Sequence, residues 1–431
     1  MAYRKGESHM EGNKKLYFPE GALLNQMEVA VVESERRKSE ILKEPFVVYL
    51  VESRPVENHL GSEPECALWR RYSEFELLRN FLMANYPYIV LPPLPEKRPI
   101  PFQINVQKFQ IAHDKFDPDF IERRRQGLEC FLLRLASHPV ISQDGVFRGF
   151  LKQEEGWKES VAATNWQQKV DGRFKSISAS LSIKKPDQRF ENIKNYAESL
   201  NTNINGILKI QQRLSTKQYA ILKSHTDYGK LFSEWSAIEP EIGDTLQQAG
   251  HQMDRLASNT ESILTEEEIS YVDQLKEYLY FTESLRSVVR KQALRQHDLE
   301  KAEEQLSSKS KQRDEIQKEV TAAENGEELP NQGFTLKSVS TMLFGQDSLE
   351  TKQEKLLACE QQVKDAEEMV KIAENDVNVF MDKSLKDYDR FKKQKVRDIN
   401  EIMENYVKSQ LKINKQGLQQ WQQMREYFMN M

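Results

Sequence analysis

Cysteine is scarce in this chain, with Cys66, Cys130 and Cys359 the only three among 431 residues. Thiols this few and this far apart cannot build a disulfide framework, and they fit reduced, buried side chains in a cytosolic protein. Long apolar runs are missing as well. No stretch approaches the roughly 18 apolar residues that span a bilayer, and charges occupy the N-terminus where a signal peptide is apolar, so any membrane association is expected to be peripheral. There is no excess of basic residues: Lys+Arg 62 against Asp+Glu 67 leaves a net charge of -5. That balance excludes a generally basic nucleic-acid binder and confines any anion site to a local cluster. A Walker-type glycine loop and Cys/His metal spacing are absent, and the 7 histidines are dispersed. The chain is therefore read as a non-enzyme with no catalytic residue, metal or cofactor. At 38% hydrophobic and 30% charged, it is also too polar for one large core and long enough for two or three domains.

What is present falls into consecutive segments. Residues 1–25 are polar and read as a flexible lead-in. From 26 to 154 the pattern predicts an α+β domain. Met27–Val31, Pro45–Val51 and Ala67–Tyr72 are β-rich runs that suggest a small antiparallel sheet, followed by helical faces through Phe75, Leu78, Phe81 and Leu82 and through Ile121, Leu128, Phe131, Leu132 and Leu135. Residues 155–186 read as a linker in which Ala163, Trp166, Val170, Phe174, Ile177 and Leu181 recur at three- and four-residue steps. This is the apolar stripe of an amphipathic helix that folds against an apolar surface. Residues 187–431 predict an all-α domain of three long coiled-coil helices, at about 188–263, 265–323 and 349–429. Ile207, Leu214, Ile221, Tyr228 and Trp235 fall on one seven-residue line of the first. Pro240 and Gly243 are expected to kink that helix, and Thr265 followed by three glutamates resembles a capped start for the second. Helices this long need partners along their length, which makes a dimer the economical expectation.

The chemistry lies in the first domain. Arg70-Arg71-Tyr72-Ser73-Glu74-Phe75 is followed by Leu91-Pro92-Pro93-Leu94-Pro95-Glu96-Lys97 and then by Arg123-Arg124-Arg125 opening a helix. A phosphorylated inositol is a polar disc with doubly charged groups at separate edges. Arg71 offers a bidentate fork to a phosphate, Ser73 a hydroxyl to the same group, Tyr72 a face for the ring, Lys97 a point charge at another edge, and Arg124 donors for ring hydroxyls. Arg70, Arg123 and Arg125 read as surface charge or nonspecific lipid contacts.

These three elements in this order resemble the motif set of phox-homology (PX) domains. Joined to three long helices, which resemble a BAR domain, the chain is similar to the PX-BAR sorting nexins over about residues 26 to 431. The resemblance implies that Arg71 clasps a 3-phosphate with Ser73, that Tyr72 stacks on inositol, that Lys97 meets the 1-phosphate and that Arg124 binds ring hydroxyls, giving a site for phosphatidylinositol 3-phosphate. It also implies that the loop carrying Ile100, Phe102 and Ile104 dips into the bilayer. Trp166, Val170 and Phe174 of the linker stripe are the second expected insertion element. Further implications are the cytosolic face of early or recycling endosomes, sorting of cargo into recycling tubules and a link to autophagy. The partners it implies are a second copy or a related PX-BAR sorting nexin, cargo receptors and motor-linked adaptors, and no nucleic acid. Basic residues at 286–295, 309–313 and 392–397 are candidate lipid contacts on the helices. The rival reading is a coiled-coil scaffold whose front domain binds protein instead of lipid.

Overall fold

The computed structural model describes residues 22–38, 45–56, 65–97, 116–169, 183–325 and 348–430. The chain divides into two compact units, one of Met1–Val170, Lys194–Arg286 and Asp387–Met431 and the other of Asp171–Ile193 and Ser287–Lys386.

In the first unit, the three β-rich runs form strands β1 (Met27–Lys38), β2 (Pro45–Pro55) and β3 (Cys66–Arg71), antiparallel in the order β1-β2-β3. Their two-residue period turns Val29, Val31, Tyr49, Val51 and Leu68 into the core. A register shift between Val31 and Glu33 marks a bulge in β1. Helix α1 (Tyr72–Asn85) leaves β3 without a loop, and the Glu74 carboxylate accepts the Arg71 backbone N–H at 2.8 Å to cap it. Helix α2 (Pro118–Ala136) starts as its sequence dictates, with Pro118 at the first helical position and Asp117 accepting the Phe120 N–H at 2.9 Å. Two short helices follow, α3 (Gly145–Lys152) and α4 (Trp157–Ala163). Phe150 lies edge-on to both Phe75 and Trp157, with centroids 5.0 and 5.1 Å away. This is the α+β arrangement the sequence predicts. Trp157 and Val161, from the segment read as linker, pack into the same buried cluster as Phe75 and Phe131.

The linker also differs from its sequence pattern. Helix α4 ends at Ala163, Asn165 takes a left-handed φ of 49°, and a separate 3-10 turn covers Trp166–Lys169. Ala163 is exposed, whereas Trp166 is half-buried against the first domain's core. The two residues therefore do not share one stripe. Val170 and Phe174 lie outside the described residues.

The long helices are α5 (Gln188–Ser236), α6 (Gly243–Glu267), α7 (Gln274–Asn325) and α8 (Leu349–Met429). The boundary expected at 263–265 is not there. The break falls at 237–242, around Pro240, and helicity then runs from Gly243 through a π-helical turn at Glu268–Asp273 into α7. Thr265 is no cap: its Oγ1 donates to the Glu261 carbonyl at 3.0 Å, one turn back inside a helix. Within the first unit, α5 and α6 approach backbone to backbone, since a Cβ on Gly250 would lie 2.9 Å from the Gly229 carbonyl oxygen. Glu267 is buried among these helices and accepts from Gln211 of α5 at 2.5 Å and Gln410 of α8 at 2.7 Å. In the second unit, Arg295 pairs with Asp376 at 3.0 Å and lies 4.2 Å from the Phe380 ring centroid.

Candidate functional site

Strand β3 delivers two arginines to opposite faces of the sheet. Arg70 points inward and is buried; its Nε and Nη2 donate to the Phe150 carbonyl at 3.2 and 2.8 Å, and Nη2 also donates to the Gln153 carbonyl. Arg71 points outward, and its guanidinium carbon lies 3.5 Å from the centroid of the Phe46 ring. The pairing of Val48 with Arg71 sets Phe46 on that same face, two residues along β2. Ser73 is exposed on the first turn of α1.

Tyr72 stands between two further cations. The Lys97 ammonium is 5.8 Å and the Arg124 guanidinium carbon 5.2 Å from its ring centroid. Its hydroxyl donates to the Pro95 carbonyl at 2.6 Å. Burial, aided by the nearby Glu76 carboxylate, pushes the phenol up to about 12, so it stays a donor at neutral pH. Lys97 is exposed and pairs with Glu76 at 2.7 Å. The predicted residues Tyr72, Lys97 and Arg124 thus come together, with Arg71 and Ser73 exposed at the β3–α1 junction beside Tyr72. The cluster can offer cationic donors around one aromatic face to a small polyanion.

Arg124 is more deeply set than its sequence role implies. It is buried, and its guanidinium donates to the Glu96 carbonyl at 3.3 Å, the Lys97 carbonyl at 2.6 Å and the Tyr49 hydroxyl at 3.3 Å. It holds the turn that carries Lys97. Gly127 lets that turn come close, because a Cβ there would meet the Pro95 Cβ at 2.7 Å.

The three arginines read as surface charge prove to be structural. Besides Arg70, Arg123 grips Asp273 of the π-helical turn with Nε at 2.7 Å and Nη2 at 2.5 Å, and reaches Glu268 at 3.5 Å. Burial depresses the Arg123 guanidinium, but Asp273, with Glu268 and Glu96, more than offsets this and the net shift is upward. Arg125 pairs with Glu122 at 2.6 Å and Glu129 at 3.2 Å and donates to the Val31 carbonyl. Further along α2, Arg134 is bidentate to Glu277 at 2.5 and 2.6 Å and pairs with Asp398 at 2.7 Å. His138 and Asp387 meet at 2.9 Å in a buried pair. The same face of the front domain therefore seats on α7 and α8 within the first unit.

Of the expected insertion residues, Ile100, Phe102 and Ile104 lie outside the described residues, as do Val170 and Phe174. Sequence reasoning missed Phe46 and Glu76. The parity of β2 against β3 could have found Phe46, and the one-turn offset of Glu76 from Tyr72 on α1 could have found the other.

A family model of the PX domain matches residues 59–154. Sorting nexin-4 from Bos taurus and from Homo sapiens are each 44% identical over 352 residues, covering 81% of this chain and 75% of theirs. Sorting nexin-7 from Macaca fascicularis is 26% identical over 312 residues, covering 72% of this chain and 77% of its own. Among solved structures, the SNX-BAR Mvp1 tetramer, determined by cryo-EM, superposes with a TM-score of 0.50 at 16% identity, covering 92% of this chain and 99% of that one. At that identity the likeness speaks for the fold alone. Identity of 44% to sorting nexin-4 over 75% of its length, with a PX domain in front of long helices, makes the chain a member of the PX-BAR sorting nexins.

Proposed function

We propose that the chain is a peripheral membrane protein that binds phosphatidylinositol 3-phosphate on endosomes and helps to bend the membrane from which cargo is sorted. The observation that carries this reading is the Tyr72 ring flanked by Lys97 and Arg124 at 5.8 and 5.2 Å, beside exposed Arg71 and Ser73. In the bound state Arg71 and Ser73 take the 3-phosphate, Tyr72 the face of the inositol, Lys97 the 1-phosphate and Arg124 the ring hydroxyls. The last role requires Arg124 to share donors now spent on the Glu96 and Lys97 carbonyls. Ile100, Phe102 and Ile104, with Trp166, Val170 and Phe174, are the proposed bilayer-inserting residues. For Trp166 this means leaving its half-buried seat on the front domain's core.

One headgroup site binds weakly, so stable residence needs two on one assembly. Support for an assembly comes from apolar side chains left exposed on the long helices: Ile221, Tyr228 and Trp235 of α5 and Val407, Leu411 and Trp421 of α8. Tyr228, Trp235 and Ile221 belong to the heptad line of the sequence, as expected for helices that pack against a second copy or a related sorting nexin. Sorting into recycling tubules, a role in autophagy, cargo receptors and motor-linked adaptors follow as further proposals from membership of the family.

Flotation of the full chain with liposomes, with and without phosphatidylinositol 3-phosphate, tests the reading. Co-flotation that requires the 3-phosphorylated lipid, and that Arg71→Ala abolishes without changing the circular dichroism spectrum, is the expected result. Equal flotation on both liposomes would overturn recognition of the 3-phosphate, and flotation on neither would favour a front domain that binds protein.

A further inference from the structure

The turn from Val90 to Lys97 contains Pro92, Pro93 and Pro95 and lies outside any helix or strand. With no ladder to fix it, its position is set by side chains. On one side these belong to the headgroup cluster: the Tyr72 hydroxyl holds the Pro95 carbonyl at 2.6 Å, and Arg124 holds the Lys97 carbonyl at 2.6 Å and that of Glu96 at 3.3 Å. On the other side they belong to the long helices. Ser284 Oγ of α7 donates to the Leu91 carbonyl at 2.7 Å, and the Tyr280 hydroxyl of α7 donates to the Glu96 carboxylate. Asp387 of α8 accepts the Val90 N–H at 2.7 Å. Arg79 of α1 spans both sides, donating to the Pro92 carbonyl at 3.1 Å and reaching Ser284 at 3.5 Å. One eight-residue stretch is therefore at once a wall of the headgroup cluster and part of the seat on the helices.

We propose that Tyr280 and Ser284 of α7 are positioning residues for the headgroup site, so that lipid affinity is coupled to how the front domain is seated on the helical domain. The inference rests on the lipid reading above and extends it to residues that touch no lipid. If the seat loosens, the turn moves, and two recognition groups move with it. One is Lys97, carried on the turn itself. The other is the Tyr72 ring, whose orientation depends on its hydroxyl bond to Pro95. Coupling of binding equilibria is reciprocal, so a bound headgroup tightens the seat in turn. A helical domain that assembles or bends can thereby raise or lower the lipid affinity of its own front domain.

The test uses the full chain carrying Tyr280→Phe and Ser284→Ala, singly and together, titrated calorimetrically with soluble short-chain phosphatidylinositol 3-phosphate. Loss of one neutral hydrogen bond, such as that of Ser284, corresponds to about a five-fold change in an equilibrium constant, and loss of the Tyr280 bond to the Glu96 carboxylate to no less, so the double variant is expected to bind at least about three-fold more weakly. Amide hydrogen exchange should quicken across residues 90–97 in the unliganded variants while β1–β3 stay as protected as in the wild type. Headgroup bound to the wild type should slow exchange in 275–286. Unchanged affinity in the double variant overturns the inference, whatever the exchange shows. Weaker binding with exchange raised throughout the sheet also overturns it, since that is general unfolding. If the wild type itself does not bind the short-chain lipid, the lipid reading fails and the coupling falls with it. Tyr280→Phe removes a single oxygen and carries the test alone should the double variant not fold.

Discussion

Arg70 and Arg71 are neighbours in sequence and opposites in environment, because successive residues of a strand face opposite sides. Arg70 is 3% exposed and is held by carbonyls eighty residues downstream, at Phe150 and Gln153. Arg71 is exposed, and its position rests on the Phe46 ring 3.5 Å away. A guanidinium stacked on an aromatic face has fewer orientations to lose when a phosphate arrives. Phe46→Leu keeps an apolar residue on β2 but removes the ring. We expect it to weaken binding of soluble phosphatidylinositol 3-phosphate by about two- to five-fold, the weight of roughly 0.5–1 kcal/mol, with thermal stability nearly unchanged. Phe46→Tyr should bind as the wild type does, and titration calorimetry separates the two. Equal binding by Phe46→Leu would mean that the ring does not orient Arg71. The sequence singles out Arg71, Tyr72, Ser73, Lys97 and Arg124 by type and order, and of these the structure gathers Tyr72, Lys97 and Arg124 into one cluster. The sequence could not separate Arg70 from surface charge, nor see that Arg123 grips Asp273, because those partners lie 80 and 150 residues away and no local pattern encodes them.

Helix boundaries obey competing local signals, and tertiary packing decides between them. Pro240 and Gly243 mark the real break at 237–242, whereas Thr265 with its following glutamates resembles a cap yet lies inside continuous helix. The π-helical turn at Glu268–Asp273 leaves no mark in the apolar periodicity, although it carries the acidic pair that receives Arg123. Strands were easier to read, since Met27–Val31, Pro45–Val51 and Ala67–Tyr72 combine β-branched and aromatic residues without helical spacing, and each lies within or against an observed strand. Close packing of α5 on α6 was not legible, because a glycine in a helix announces nothing about what approaches it. At Gly250 an added methyl would sit 2.9 Å from the Gly229 carbonyl oxygen and 3.0 Å from Ser233 Oγ. Better intrinsic helix propensity of alanine works the other way by up to about 1 kcal/mol, but overpacking against backbone costs roughly 1–3 kcal/mol. Gly250→Ala is therefore expected to lower the urea midpoint of the full chain, whereas Gly206→Ala on α5, with nothing within 4 Å, should leave it unchanged or raise it. A Gly250→Ala midpoint at or above that of Gly206→Ala would show that the two helices separate without cost.

At the scale of the whole molecule, the front domain and the long helices are joined in the first unit by buried polar contacts, and one of them contains a histidine. His138 Nε2 meets Asp387 at 2.9 Å, and its Nδ1 accepts backbone N–H groups from Val140 at 3.1 Å and Ile141 at 3.2 Å. Both ring nitrogens are thus committed in the neutral form, and a second proton would break the two backbone bonds. Burial lowers the His138 imidazole below its ordinary value, Arg390 adds to that, and Asp387 only partly opposes it. Tyr88 is the other titrating group beside Asp387, and it stays protonated here because burial raises it. For a histidine depressed in the folded state, the unfolded chain binds the proton first, so stability is intact above about pH 6.5 and falls as pH drops below it. Asp387 does not confuse this window. Burial raises its carboxyl, but Arg390 and His138 more than offset that and hold it well below the usual carboxylate range, so its contribution survives until pH falls past the unfolded value of 3.8. Glu267 works in the opposite sense: burial raises it, so acidification relieves a cost and adds stability. Comparing slopes isolates the histidine from both. The melting temperature of the wild type should fall between pH 7.5 and 5.5, and His138→Gln, which keeps a donor toward Asp387 but cannot titrate, should fall less over the same range even if it starts lower. Parallel slopes would assign the acid sensitivity to another group and leave the His138–Asp387 contact a fixed bond between front domain and helix.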